Sequence, residues 1–406
     1  MSAEMAGETR NPLPCESAVV ISLESCAASC LLCGDCLDRC SLLADLGLMP
    51  AEIAEAVASG QVDERLLAAI QRCDLCGACG RGCPAEINPA EVFLAARQAL
   101  IQNGTISPFE YDVMLTDRDW HFFTIYRATY GITYDDLMAD RCDALFFPGC
   151  SLASYAPELT RAAFGWLQGQ GLSVGFSDLC CGKPLASIGM CAENERYVSR
   201  LQAQFEAAGA REIITACPNC EVQLRTYMPA VQVRSLYAML AEAGIRVSGS
   251  EALTFHDSCP DRCDGRNPAT VRALLSGFPQ VEMASRGQNA ICCGSGGIVS
   301  MIDPDLCNVR AGRRLAEFAG SGADVCVTSC MSCAHRLARA GDAAVPGEVR
   351  HCLEYVFDAR IDYARIAANT RGMWEGSQGQ LNLERLADAR VLPLPLPAAT
   401  GEDFHA

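Results

Sequence analysis

The segments ALFFPGC (144–150), SDLCCGKPLASIGM (177–190) and AGAREIITACPNCEVQL (208–224) return, in the same order, as ALTFHDSC (252–259), NAICCGSGGIVSM (289–301) and SGADVCVTSCMSCAHRL (321–337). Cys181 to Cys293 and Cys217 to Cys330 span the same offset to within one residue, and VRSLYAML (233–240) is echoed by VRHCLEYV (349–356). Self-similarity over such a period marks a duplicated structural unit. Within the first copy, ALFFPGC predicts a strand running into a turn. PELTRAAFGWLQGQG (157–171) predicts a helix with a glycine stop, LSVGFSDLCCG (172–182) a strand, AENERYVSRLQAQFEAAGA (192–210) a helix and REIITACPNC (211–220) a third strand. Strands alternating with helices imply βαβ units and a parallel sheet. Two α/β lobes are therefore expected, at 141–248 and 249–356.

Each lobe carries five cysteines at matching places: Cys150, Cys180, Cys181, Cys217 and Cys220 in the first, Cys259, Cys292, Cys293, Cys330 and Cys333 in the second. In each, a single cysteine follows one strand, a CCG the next and a CxxC the third. The ends of parallel strands lie on one edge of the sheet, where sites in such folds form, so five thiols converge. Vicinal cysteines do not easily both turn toward one tetrahedral ion, and the set suits a larger cluster. Gly182 and Gly294 permit a positive φ or a close backbone approach to an inorganic core. Helix starts after each CxxC bring N–H groups toward sulfur. Two plainer readings stay open: a thioredoxin-like redox pair at each CxxC, or a single zinc ion per lobe.

Upstream, residues 26–100 hold nine cysteines in two bursts. Cys30, Cys33, Cys36 and Cys40 form one run; Cys73, Cys76, Cys79 and Cys83, followed by Pro84, form the other. This is the spacing of bacterial ferredoxins, in which three close cysteines wrap one [4Fe–4S] cube and the fourth reaches the other. One cubane is thus assigned to Cys30, Cys33, Cys36 and Cys83, the second to Cys73, Cys76, Cys79 and Cys40. Ser41 stands where a proline usually follows the fourth cysteine; that proline shapes a turn and is not a ligand. A zinc ribbon would need two CxxC pairs rather than two four-cysteine runs. Cys26 reads as a bystander. Between the bursts Pro50, Ile53, Val57, Leu66, Leu67 and Ile70 recur at helical spacing, broken at Gly60, and NPAEVFLAARQALIQNG (88–104) is a further helix. The expected fold class is α+β multidomain: an N-terminal α-helical ferredoxin-like domain followed by two duplicated parallel-sheet lobes. A flexible tail is expected at 1–25, an aromatic connector packing on both neighbours at 101–140, and an extended C-terminal arm at 357–406.

Twenty-six cysteines in 406 residues would suit a disulfide-rich secreted chain. The opening MSAEMAGETRNPLPCES has no apolar signal core, and no stretch approaches the roughly 18 apolar residues of a membrane span. The expectation is a cytoplasmic protein whose cysteines bind metal, brought to the inner face of the membrane only through a partner. A net charge of −17 disfavours nucleic acid and anionic lipid as partners. CCGSGG (292–297) lacks the G-x-G-x-x-G layout of a nucleotide site.

On these motifs the chain resembles the CCG-domain iron–sulfur proteins, above all the heterodisulfide reductase type in which a ferredoxin-like part is fused to a two-lobed CCG part; the likeness covers roughly 26–356. It implies two noncubane [4Fe–4S] clusters beside the two cubanes, one on each complete five-cysteine set, facing each other and cleaving a disulfide of a small thiol or a protein. Cys181, Cys293 and Lys183 then belong to the reacting centre, and Gly182 and Gly294 to the cofactor cradle. It implies electrons delivered singly by a flavoprotein or a membrane cytochrome b. Relatives with this layout also serve flavin-dependent dehydrogenases for glycolate, lactate or glycerol 3-phosphate as electron-transfer subunits that turn nothing over themselves. Lys183 reads equally as an anchor for an anionic substrate and as a surface lysine. His256 and His335 read as hydrogen-bonding neighbours of ligands or as loop residues, and His351 matches a histidine of that family. Cys15, Cys142, Cys191, Cys263, Cys307, Cys326 and Cys352 fit no pattern.

Overall fold

The structure, a computed structural model, describes residues 17–262, 265–341 and 347–392, with side chains from residue 23 onward. Cys15, Cys263, the first sixteen residues and 393–406 lie outside the described residues. The chain runs from an all-helical N-terminal region into two parallel α/β lobes. In the first lobe β1 (Ala144–Phe147), β2 (Val174–Phe176), β3 (Glu212–Thr215) and β4 (Gln232–Ser235) pair in parallel in the order β2-β1-β3-β4. In the second, β5 (Leu253–Phe255), β6 (Val325–Thr328) and β7 (Glu348–His351) pair in parallel in that order. Helices cover both faces, so β1, β2, β5 and β6 are buried along their whole length, as the unbroken apolar runs require.

The duplication is imperfect at one place. The strand expected before Cys292 does not form. Residues there touch β5 only through Leu253 N–H to Pro279 O, Val281 N–H to Leu253 O (both 2.8 Å) and a single bridge at Gln280. Pro279 has no N–H to extend a ladder, whereas VGF of β2 meets no such obstacle.

Two terminal expectations need correction. A helix begins at Ser17 and runs to Ser29, inside the stretch read as a flexible tail. Its Leu23 and Cys26 are buried in a core with Ile53, Ala54, Val92 and Phe93, so apolar packing on the helix Pro89–Gln102 orders it. Nor is 357–392 an extended arm. Tyr363–Gly372 and Gly376–Ala387 are helices. They lie against the connector helix Phe122–Thr129: Tyr130 OH donates to Asn369 O at 2.7 Å, Asn369 Nδ2 to Tyr126 OH at 3.1 Å, and Asn382 Nδ2 to Thr129 Oγ1 at 2.9 Å.

The units share their cores. Val92, Phe93 and Leu100 of the helical region pack in one cluster with Leu185, Ile188 and Ile213 of the first lobe. Phe146 and Ile214 pack in another with Phe255, Val325 and Val327 of the second, joined through Leu236, Tyr237, Leu240 and Leu274. Arg97, fully buried, ties all three together. It donates to the carbonyls of Ile70 (2.9 Å), Gln71 (2.9 Å) and Cys73 (2.6 Å) in the helical region, Ser187 (2.8 Å) in the first lobe and Gly297 (2.8 Å) in the second. Among the described residues no helix is long and apolar enough to cross a membrane.

Candidate iron–sulfur centres

The two N-terminal runs adopt the same backbone course. Leu32 and Leu75, each just before the second cysteine of its run, take left-handed φ of 52° and 53°, and Gly34 and Gly77, just after it, take 87° and 71°. The chain thereby curls around a point, turning successive thiols inward. Cys30, Cys33, Cys36 and Cys83 line a small cavity of about 20 Å³. Cys40, Cys73, Cys76 and Cys79 line a larger one of about 320 Å³. Cys26 lines neither; it is buried, and burial pushes its thiol up to about 12. Burial likewise pushes Cys73 up to about 12 and holds Cys79 well above its ordinary value. Four sulfurs gathered in one pocket repel one another as thiolates, and cationic iron would offset that repulsion. The donor set therefore fits an iron–sulfur cluster in each cavity.

In the first lobe all five thiols form one contiguous set at the carboxyl edge of the sheet. Cys150 starts a short helix after Gly149, and its Sγ lies 4.0 Å from that of Cys180. Cys181 is hydrogen-bonded with both Cys180 and Cys220, and Cys220 with Cys217. These contacts, with burial, hold Cys150, Cys181 and Cys220 well above the ordinary thiol value. In the second lobe Cys293 Sγ lies 3.1 Å from Cys333 Sγ, which bonds Cys330 in turn, and Cys259 lies near Cys293 and Cys330. Cys292 departs from the fivefold convergence. It lies beside Cys293 but also turns outward, its single S–H donating to Asp74 at 3.2 Å with Cys76 close by, and it lines the larger ferredoxin-type cavity. The Cys292 side chain draws Cys76 down to about 7. Both sets, like the two runs, offer only soft sulfur donors, which suits iron–sulfur clusters.

The two lobes' sets abut. Ser151 and Ser332 hydroxyls are 2.9 Å apart, and Asn219 Nδ2 reaches Cys330 Sγ at 3.8 Å. Tyr237 OH lies 2.8 Å from Ala216 O and 2.7 Å from Ser329 O, the residues just before the two CxxC motifs. His351 joins this clamp. Its Nδ1 accepts from Leu353 N–H, so Nε2 carries the proton and faces Ser329 O at 3.1 Å. Lys183 is half-buried; burial lowers its ammonium's pKa while Cys259 and Cys181, from opposite lobes, raise it. His335 lies against Tyr155, ring centroids 4.9 Å apart and the rings tilted by 49°.

Gly182 (φ 84°) and Gly294 (φ 80°) both need the left-handed region. The space a Cβ would take is filled by Asn194 Oδ1 at 2.6 Å and by Cys307 O at 2.4 Å, so their close approach is to protein. Cys142, Cys307, Cys326 and Cys352 are buried and free. Cys191 is disulfide-bonded.

Several groups around the thiols carry no sequence signal. His121 comes from the connector to stand beside Cys180; burial holds its imidazole down to about 4. Asp74, between two cysteines of the second run, pairs with Arg310 at 2.7 Å, and burial lifts it to about 6. Arg262 Nε donates to Cys76 O at 3.0 Å. The glycines of CCGSGG are explained by the same junction. A Cβ on Gly296 would lie 2.3 Å from Asp74 O, and one on Gly297, at φ 61°, 2.1 Å from Cys73 O. G297A is thus expected to lift the second run off the second lobe and to destabilise the protein by roughly 2–3 kcal/mol. Denaturant titration reads this directly, and an unchanged midpoint would show that the contact is not needed.

Comparison with known proteins agrees with this geometry. Residues 144–225 and 253–338 each match the cysteine-rich domain CCG, and residues 29–88 match the 4Fe-4S dicluster domain. One of the subunits of the dihydromethanophenazine:CoB–CoM heterodisulfide reductase of Methanosarcina barkeri is 24% identical over 304 residues, 68% of this chain and 73% of that protein. One of the subunits of the fumarate reductase (CoM/CoB) of Methanothermobacter marburgensis is 24% identical over 75% of this chain and 66% of its own length. A lactate utilization protein of an Exiguobacterium species is 24% identical over 46% of this chain and 85% of its own length.

Proposed function

We propose, for a chain that carries two CCG cysteine-rich domains behind a 4Fe-4S dicluster domain and is therefore an iron–sulfur electron-transfer protein, that it is the disulfide-reducing subunit of a larger reductase. In this reading Cys30, Cys33, Cys36 and Cys83 hold one cubane and Cys73, Cys76, Cys79 and Cys40 the other. Cys150, Cys180, Cys181, Cys217 and Cys220 hold one noncubane cluster; Cys259, Cys292, Cys293, Cys330 and Cys333 hold the second. When bound, the clusters supply one-electron carriers and irons with affinity for sulfur. A flavoprotein or a membrane cytochrome b, acting as redox partner, delivers the electrons.

The chain's own residues do the rest. Asp74 and Arg310 brace the junction where Cys76 meets Cys292, keeping the ferredoxin-type run in contact with the second lobe. Tyr237 and His351 hold the two CxxC turns at fixed separation. Lys183 offers a positive charge between Cys181 and Cys259, where a disulfide spanning the lobes would carry its acidic groups. Burial of Cys180, Cys181 and Cys220 in the first set and of Cys293, Cys330 and Cys333 in the second shields most of the thiols from water.

The observation that carries this reading is that both lobes carry all five cysteines, Cys292 being shared with the ferredoxin-type cavity, and that the two sets abut across the lobe interface. A chain that only relays electrons needs no second complete set. The test is iron and sulfide content with EPR on anaerobically purified protein, followed by disulfide reduction with an artificial one-electron donor. About sixteen irons and turnover are expected; about eight irons would remove both noncubane clusters and the reading with them.

One observation favours a second reading. The match to the lactate utilization protein suits an electron-transfer subunit of a flavin-dependent dehydrogenase that uses glycolate, lactate or glycerol 3-phosphate. Copurification with such a dehydrogenase, and no disulfide turnover by the loaded protein, would select it.

A further inference from the structure

The second lobe contains a buried histidine that its sister lobe lacks at the matching place. β5 runs out through Phe255-His256-Asp257-Ser258-Cys259, whereas β1 runs out through Phe147-Pro148-Gly149-Cys150. His256 is 3% exposed. Its Nδ1 accepts from Arg314 Nε at 3.0 Å. Arg314 is itself fully buried and committed, with its other nitrogens on Ser285 O (2.7 Å), Phe255 O (3.0 Å) and the Glu317 carboxylate. His256 Nε2 is buried and makes no hydrogen bond, to sulfur or otherwise, among the described residues. The ring stands among the thiols: one of its nitrogens and the sulfurs of Cys293 and Cys333 all lie within 4.8 Å of one another.

Three donors so close read first as a metal-ligand set, with His256 as a third ligand. The hydrogen bond on the far side of the ring argues against that. An arginine Nε–H is always a donor, so Nδ1 must be the accepting nitrogen. The single proton of a neutral imidazole then sits on Nε2, and a nitrogen that carries a proton has no lone pair to give a metal. What Nε2 offers toward Cys293 is an N–H.

We propose that His256 is a positioning residue of the second lobe, whose free Nε2–H is donated to the Cys293 sulfur when the centre is loaded and raises the reduction potential of that centre without ligating it. The inference rests on the reading that the second five-cysteine set holds an iron–sulfur cluster. Its physical basis is general. Reduction places negative charge on the sulfurs, a hydrogen bond to a ligating sulfur stabilises the reduced form more than the oxidised one, and the potential rises. The first lobe has Pro148 and Gly149 at this place, so no side chain from the end of its first strand plays this part there.

The test uses the full chain, purified anaerobically with its clusters, in three forms: parent, H256L and H256Q. Redox titration followed by EPR is expected to give a lower midpoint potential for the second-lobe centre in H256L. H256Q, whose amide N–H reaches toward the same sulfur, is expected to return it toward the parent value. The cubane potentials should not move in either. Pulsed EPR of the parent should show only a weak nitrogen coupling, lost in H256L. An unmoved potential in a fully loaded H256L overturns this proposal alone. A strong, directly bonded nitrogen coupling in the parent, or loss of about four irons in H256Q, makes His256 a ligand and also overturns it. About eight irons in the parent would overturn both this proposal and the functional reading beneath it.

Discussion

Replacing Arg97 with lysine is expected to destabilise the protein by on the order of 5 kcal/mol and to loosen the helical region from both lobes at once. The guanidinium has no exposed surface and spends its donors on five carbonyls drawn from three parts of the chain. Lysine keeps the charge but has three donors on one nitrogen and cannot reproduce a planar fork that reaches five acceptors. At least two carbonyls would then be left buried and unpaired, each costing about 1–3 kcal/mol, and the ammonium would be desolvated with poorer compensation. Losses above about 4 kcal/mol are uncommon for single substitutions and point to a broken buried network. Denaturant unfolding measures the size of the effect, and limited proteolysis shows whether the region before residue 100 becomes separable. An R97K protein with the parent's unfolding midpoint and cleavage pattern would show that the apolar core alone holds the three parts together.

That prediction marks the boundary of what a single sequence discloses. Duplication, strand–helix alternation and the helical N-terminal region are legible because they repeat or have a fixed period: ALFF and LTF stand at the same place in each copy and become β1 and β5. Cysteine spacing is legible for a related reason, since a cluster dictates how many residues separate thiols that must reach it. Arg97 has no such signature. It stands on a helix among alanines, and its acceptors at Ser187 and Gly297 are 90 and 200 residues away. His121 is hidden in the same way, a connector residue that meets Cys180 only in three dimensions. The glycines of CCGSGG are visible in the sequence, but their reason is not; it lies in the Cys73–Asp74 backbone pressed against them. The missing strand before Cys292 shows the converse. A repeat raises the expectation of an element, and Pro279, with no N–H, removes one of the ladder bonds that element would need.

Cys181 and Cys293 offer the sharpest separation between disulfide reduction and simple electron relay. C181A and C293A are each expected to lower disulfide turnover by more than about a hundredfold, the span that even outer-layer partners of metal ligands reach. The double variant is expected to be no worse than either single one, because a disulfide needs two electrons and either loss already leaves the task undone; residues that act as a unit are not additive. The choice of these two positions matters. Cys292 also lines the cavity of Cys40, Cys73, Cys76 and Cys79, so replacing it would disturb that set as well. Cys181 and Cys293 line neither ferredoxin-type cavity, and the cubane EPR signals should survive their loss. Independent lobes would behave otherwise: each single variant would keep about half the activity, and only the double would be dead. That pattern, or full turnover in both single variants, would mean that the facing sets do not act together on one substrate. Retained electron flow to an artificial acceptor with disulfide turnover absent from the loaded parent protein as well would leave the relay role in its place.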